Sequence, residues 1–142
     1  HCLLYQGKYN LFNREPEEEG ILRQAKENGT GFISFSPLAQ GLLTNRYLNG
    51  IPDDSRIAKG GFLKKEALTD EVLKKIKALN ELAIRRGQTL AEMALAWILK
   101  DDLVTSVIIG ASSVGQLADN LKAIDNTAFS AEELKNIYQI VK

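Results

Sequence analysis

Apolar residues follow two rhythms along this chain. Short apolar-rich runs at Cys2-Leu3-Leu4-Tyr5-Gln6, Gly31 to Phe35 and Val104 to Ile109 read as buried strands. Between them, apolar positions recur at helical spacing. Pro16-Glu17-Glu18-Glu19 supplies a first-turn proline and acids that complement a helix dipole. Ile21, Leu22 and Ala25 give that helix its apolar side, and Asn28-Gly29 stops it. Thr69 caps a longer helix with the stripe Val72, Ile76, Leu79 and Ala83, ended by Gly87. Thr89 and Glu92 form a capping box for a helix from Leu90 to Lys100, with Leu90, Met93, Ala94, Trp97 and Ile98 facing inward. Ser113 with Gln116 opens a helix from Val114 to Ala123, and Ser130 with Glu133 opens the last one. Three strands separated by helices imply an α/β fold with a parallel sheet.

One stretch escapes both rhythms. Gln40 to Leu68, rich in Gly, Asn and Asp, is too long for an ordinary connection, which marks it as functional or disordered. In parallel α/β folds ligands sit at the carboxyl ends of strands, here Gln6, Phe35-Ser36-Pro37 and Gly110-Ala111-Ser112. Gln6 offers an amide suited to a carboxamide, and Phe35 offers a flat face for a planar ring. Ser112 and Ser113 offer hydroxyls beside helix amides that suit a phosphate. Taken singly, each is better explained by a loop cap, a core aromatic or an N-cap. Together they suggest a dinucleotide laid across strand ends.

Composition narrows the partners. The 142 residues suffice for one ordinary core, and no shift in composition marks a second domain. Acids and bases balance to a formal charge of zero and are interspersed, which disfavours nucleic acid and anionic membrane. No apolar run approaches a bilayer span, and no secretory signal opens the chain, so a cytoplasmic location is expected. Cys2 reads as a small buried hydrophobe. With one histidine and one cysteine, no metal site is expected. His1 carries no initiating methionine, and a strand begins at once.

Several motifs together resemble one family. Tyr5-Gln6-Gly7-Lys8-Tyr9-Asn10, Phe35 through Thr44, Tyr47 through Pro52 with Ser55-Arg56, and Ile109-Gly110-Ala111-Ser112 with Gln116-Leu117 and Asn120 are similar to the aldo-keto reductases. The likeness is strongest to the branch of bacterial glyceraldehyde 3-phosphate and methylglyoxal reductases related to potassium-channel β subunits. It implies a (β/α)8 TIM barrel binding NADPH, of which this chain would be the C-terminal part: the last three β/α units plus the closing helix. By that resemblance Gln6 holds the nicotinamide carboxamide, and Phe35 stacks where relatives use Tyr or Trp. Ser36, Pro37, Leu38, Ala39, Gln40 and Gly41 wrap the ribose and pyrophosphate, with Arg46 and Arg56 closing over them. Gly110, Ser112, Gln116, Asp119 and Asn120 hold the adenosine end.

Two departures follow. Ser113 stands where many relatives carry Arg or another polar side chain near the 2′-phosphate, which leaves NAD open beside NADP. Nothing matches the family's catalytic Asp, Tyr, Lys and His, so no residue is assigned to catalysis and the 142 residues alone are expected to be inactive. The implied substrate is a small aldehyde or ketone. A nucleotide-binding regulatory subunit and a half-barrel binding module stand as the alternatives. Open strand edges at Cys2–Gln6 and Val104–Ile109 imply a homo-oligomer or an edge-paired dimer.

Overall fold

The computed structural model describes residues 2–51, 53 and 65–142. Three strands, β1 (Leu4–Lys8), β2 (Gly31–Phe35) and β3 (Ser106–Val107), form a parallel sheet in the order β1-β2-β3. This agrees with the alternating pattern of the sequence. Leu4 pairs with Gly31 and Lys8 with Phe35, so β1 lies two residues further along than the apolar run Cys2–Gln6 suggested. Register against β2 decides the strand, and Cys2, before it, is exposed rather than buried.

The short β3 is a second departure. Only Ser106–Val107 pairs as a strand, although Thr105 N–H donates to the Phe32 carbonyl at 2.9 Å and Ile108 N–H to that of Ser34 at 2.8 Å. Beyond β3 and those two bonds the run makes no further backbone pairing with β2, and among the described residues no strand lies on its outer side.

Helices cover one face of the sheet. The first predicted helix is broken in two, α1 (Glu15–Glu18) and α2 (Ile21–Glu27), by Gly20 at φ 76°. Only glycine takes that left-handed conformation cheaply. Next come α3 (Asp70–Arg85), capped by Thr69, and α4 (Leu90–Ile98), whose Thr89/Glu92 capping box is complete. α4 ends before Lys100 and is buried nearly all round, Leu95 and Ala96 included. α5 (Val114–Leu121) passes into a 3₁₀ turn at Lys122, and α6 (Ala131–Val141) starts on the Ser130/Glu133 box.

The core lies between sheet and helices. Phe32 on β2 meets Tyr9 edge-on at 6.3 Å between centroids, and Tyr9 meets Trp97 of α4 at 5.1 Å. Within the long connection read as functional or disordered, Leu42, Leu43 and Tyr47 are buried in this same core. The first part of the long connection is therefore pinned by apolar burial.

Candidate functional site

Where β2 and β3 end, a cleft of about 600 Å³ opens, within the range of roughly 300–1,000 Å³ usual for small-molecule sites. One wall is the turn that follows β2. Ser36, Ala39 and Gln40 have φ of 52°, 47° and 59°, and Gly41 has φ 100°. These three are the only non-glycine residues with positive φ among the described residues, so the left-handed strain of the described backbone is concentrated in this one turn.

Buried bonds hold the turn from below. Asn10, 1% exposed, donates from Nδ2 to the Ser36 carbonyl at 2.9 Å, while its Oδ1 accepts the N–H groups of Phe12 and Asn13. Ser34 Oγ donates to the Tyr9 carbonyl at 2.7 Å and ties the same loop to β2. A rigid support of this kind is what a strained turn needs to persist.

The opposite wall is built by the chain after β3 and the start of α5. Ser113 Oγ accepts the Gln116 N–H at 3.1 Å and caps the helix. The reciprocal half of the expected capping box is not made to Ser113. Instead Gln116 Oε1 accepts from the Ser112 N–H at 2.7 Å and from Ser112 Oγ at 2.9 Å. Ser112 is thereby drawn into the cap.

The predicted residues separate into two groups. Phe35, Ser36, Pro37, Leu38, Gln40 and Gly41 line the cleft from the β2 side. Arg46, Gly110, Ser112 and Gln116 line it elsewhere, and Arg46 is the only charged residue among the described lining. Gln6, Ala39, Asp119 and Asn120 are not in the lining. Gln6 pairs with Ile33, two residues before Phe35 along the strand direction, and so lies on the same sheet face as Phe35. Asp119 is ion-paired with Lys122 at 2.8 Å, whereas Asn120 is buried with its Nδ2 unpartnered. Arg56 lies outside the described residues, as do His1, Pro52 and Ser55. Ser113, whose hydroxyl the sequence offered to a phosphate, lines the cleft as well, and so do Thr44, Asn45, Ile108 and Ile109, which had not been assigned to it. A short polar pair directly before an arginine was the available signal for Thr44 and Asn45.

A tyrosine with lysine and aspartate neighbours does exist, away from this cleft. Lys100 Nζ donates to Tyr9 Oη at 3.2 Å and lies 3.7 Å from Asp101. Tyr9 is fully buried, and burial, followed by the charge of Glu17 that accepts its proton at 3.2 Å, pushes its pKa well above the ordinary value. That is opposite to the shift a proton donor needs. Among the described residues no group of three or more His, Cys, Asp or Glu stands together. No helix among them is long and apolar enough to cross a membrane.

Known proteins resemble this chain in sequence and in fold. The model of the Aldo/keto reductase family matches residues 1–142. An L-glyceraldehyde 3-phosphate reductase of Escherichia coli is 50% identical over 141 residues, covering 96% of this chain and 41% of the relative. A protein of Arabidopsis thaliana named "Probable voltage-gated potassium channel subunit beta" is 40% identical over 126 residues, covering 87% of this chain and 38% of that one. The solved holo form of an aldo-keto reductase from Bacillus halodurans superposes with a TM-score of 0.73 at 28% identity, over 99% of this chain and 43% of that chain. The chain thus spans about two fifths of the length of the curated relatives it matches. With its whole length matched, and the β2 turn and β3–α5 junction forming one cleft, the chain belongs to the aldo/keto reductase family.

Proposed function

We propose that this chain forms the nucleotide-binding part of an NADPH-dependent carbonyl reductase, contributing the last three β/α units and closing helix of a (β/α)8 barrel. The observation that carries the reading is one cleft lined by the strained Ser36–Gly41 turn, by Arg46 beside it and by the helix start at Ser112–Ser113. Backbone amides, the Arg46 guanidinium and the Ser36 and Ser113 hydroxyls are a donor set for phosphate, while the Ser112 amide and hydroxyl are bonded to Gln116 Oε1. Phe35 adds a flat apolar face for a planar ring, and the donor chemistry therefore fits a nicotinamide dinucleotide. NAD stays open beside NADP, because Ser113 brings a hydroxyl and no charge.

When bound, NADPH supplies the hydride that reduces the carbonyl carbon of a small aldehyde or ketone. The residues of this chain bind and orient the nucleotide. Ser36 to Gly41 present backbone to its ribose and pyrophosphate, and Arg46, with Arg56, neutralises phosphate charge. Ser112 and Gln116 take the adenosine end, to which Asn120, whose Nδ2 is buried and unpartnered, and Asp119, engaged with Lys122, stay assigned by resemblance. Gln6 stays assigned to the carboxamide by resemblance. No residue among the 142 is given the proton-donating role, and the soluble reaction would run in the cytoplasm.

Fluorescence titration tests this. Replacing both Arg46 and Arg56 by Ala should weaken NADPH binding by roughly 2–5 kcal/mol, the scale of lost charge-assisted contacts. Unchanged affinity would refute the assignment. The channel-subunit relative, 40% identical, favours a second reading: a nucleotide-binding regulatory subunit. Carbonyl-dependent NADPH oxidation by the whole protein separates the two, since the regulatory reading requires binding and no turnover.

A further inference from the structure

Thr44 stands between two parts of the cleft wall. Its hydroxyl donates to the Gly41 carbonyl at 2.7 Å, and the same oxygen accepts the Arg46 N–H at 3.2 Å. The first bond holds the end of the strained turn, whose beginning Asn10 holds at Ser36. The second starts the 3₁₀ turn Asn45–Tyr47, which carries Arg46 on its exposed side and the fully buried Tyr47 on the other. Gly41, Thr44 and Arg46 all line the cleft. One side-chain oxygen therefore joins the backbone wall to the segment bearing the only cation of the described lining.

We propose that Thr44 is a positioning residue for phosphate recognition, setting the Arg46 backbone against the Ser36–Gly41 turn so that the guanidinium and the turn amides not bonded inside the turn, as those of Ala39 and Gly41 are to the Ser36 and Leu38 carbonyls, serve the same phosphate group. This rests on the nucleotide reading above. A hydroxyl is required because one group must donate to a carbonyl and accept from an amide at once, which valine, of the same shape, cannot do. If Thr44 merely closed a turn, ligands with and without phosphate would suffer alike from its loss.

The 142-residue chain, titrated by calorimetry with 2′,5′-ADP and separately with adenosine, distinguishes these. Thr44→Val should weaken 2′,5′-ADP binding about tenfold, the scale of one or two lost hydrogen bonds, and leave adenosine unchanged. Thr44→Ser should restore wild-type affinity. Equal weakening of both ligands, or none, overturns the role of Thr44. Hydrogen exchange of the free chain gives an independent reading: the Arg46 amide should lose protection in Thr44→Val and regain it in Thr44→Ser, with α4 amides unchanged. Unaltered Arg46 protection also overturns the proposal. A wild-type chain that binds neither ligand overturns the nucleotide reading and the phosphate role together, whereas wild-type binding matched by Thr44→Val overturns only Thr44.

Discussion

Arg86, at the end of α3, is the most heavily engaged cation among the described side chains, and its removal should be felt throughout the C-terminal third. Its side chain is 4% exposed. The guanidinium pairs with Glu133 at 2.8 Å and donates to Gln88 Oε1 at 2.9 Å and to the Ala128 carbonyl at 3.0 Å. It also lies 3.7 Å from the centroid of the Phe129 ring. Breaking a buried pair by removing one partner costs about 3–5 kcal/mol. Two observations lower that figure. Glu133 is 30% exposed, and it keeps the Ser130 N–H at 2.7 Å after the arginine is gone.

The Asn126 carbonyl likewise keeps Gln88 Nε2 at 3.1 Å. The Phe129 contact adds about 1–2 kcal/mol at a desolvated site, so Arg86→Ala is expected to cost about 2–4 kcal/mol in all. Urea denaturation monitored through Trp97 fluorescence measures it as a lower midpoint at unchanged slope. Arg86→Lys should fall between wild type and alanine, since an ammonium keeps the charge and lacks the planar fork. A loss below about 1 kcal/mol, the scale of a surface pair, would refute the reasoning.

Acid stability should depend on the same pair. Burial pushes the Glu133 carboxyl up, but bonds from Ser130 and Arg86 outweigh it and hold the group below the usual carboxylate range. A lowered folded-state value stabilises the chain above the unfolded value and loses that contribution as pH falls through the folded one. Stability measured against pH should therefore decline less steeply through the acid range in Glu133→Gln, and an unchanged slope would contradict the assignment. Gly7→Ala should destabilise by about 1–3 kcal/mol, because the new Cβ would come within 2.8 Å of the Phe32 ring, itself packed between Tyr5 and Tyr9; an unaltered thermal midpoint would contradict this. With β1 and β3 both at sheet edges and Leu3, Leu4 and Tyr5 exposed, the isolated chain should self-associate, and a monodisperse monomer in light scattering would rule that out.

Much of the fold was legible because local chemistry and apolar spacing agreed. Thr69, Thr89 and Ser130 cap helices as their sequence context requires, and Gly31–Phe35 is a strand from end to end. The family, too, was legible, since its motifs are contiguous. Other features depended on partners distant in sequence. β1 slid along to match β2, and β3 shortened because a strand exists only where a neighbour bonds it. Leu42, Leu43 and Tyr47 looked like loop residues until the core they fill was assembled. The cleft joins residues 35–46 to residues 108–116, and only the sheet order brings those segments together. Composition and spacing specify what each segment can do alone, whereas Gln116 turning to Ser112, Thr44 bridging Gly41 to Arg46 and Tyr9 being locked away by burial are decided by three-dimensional contact.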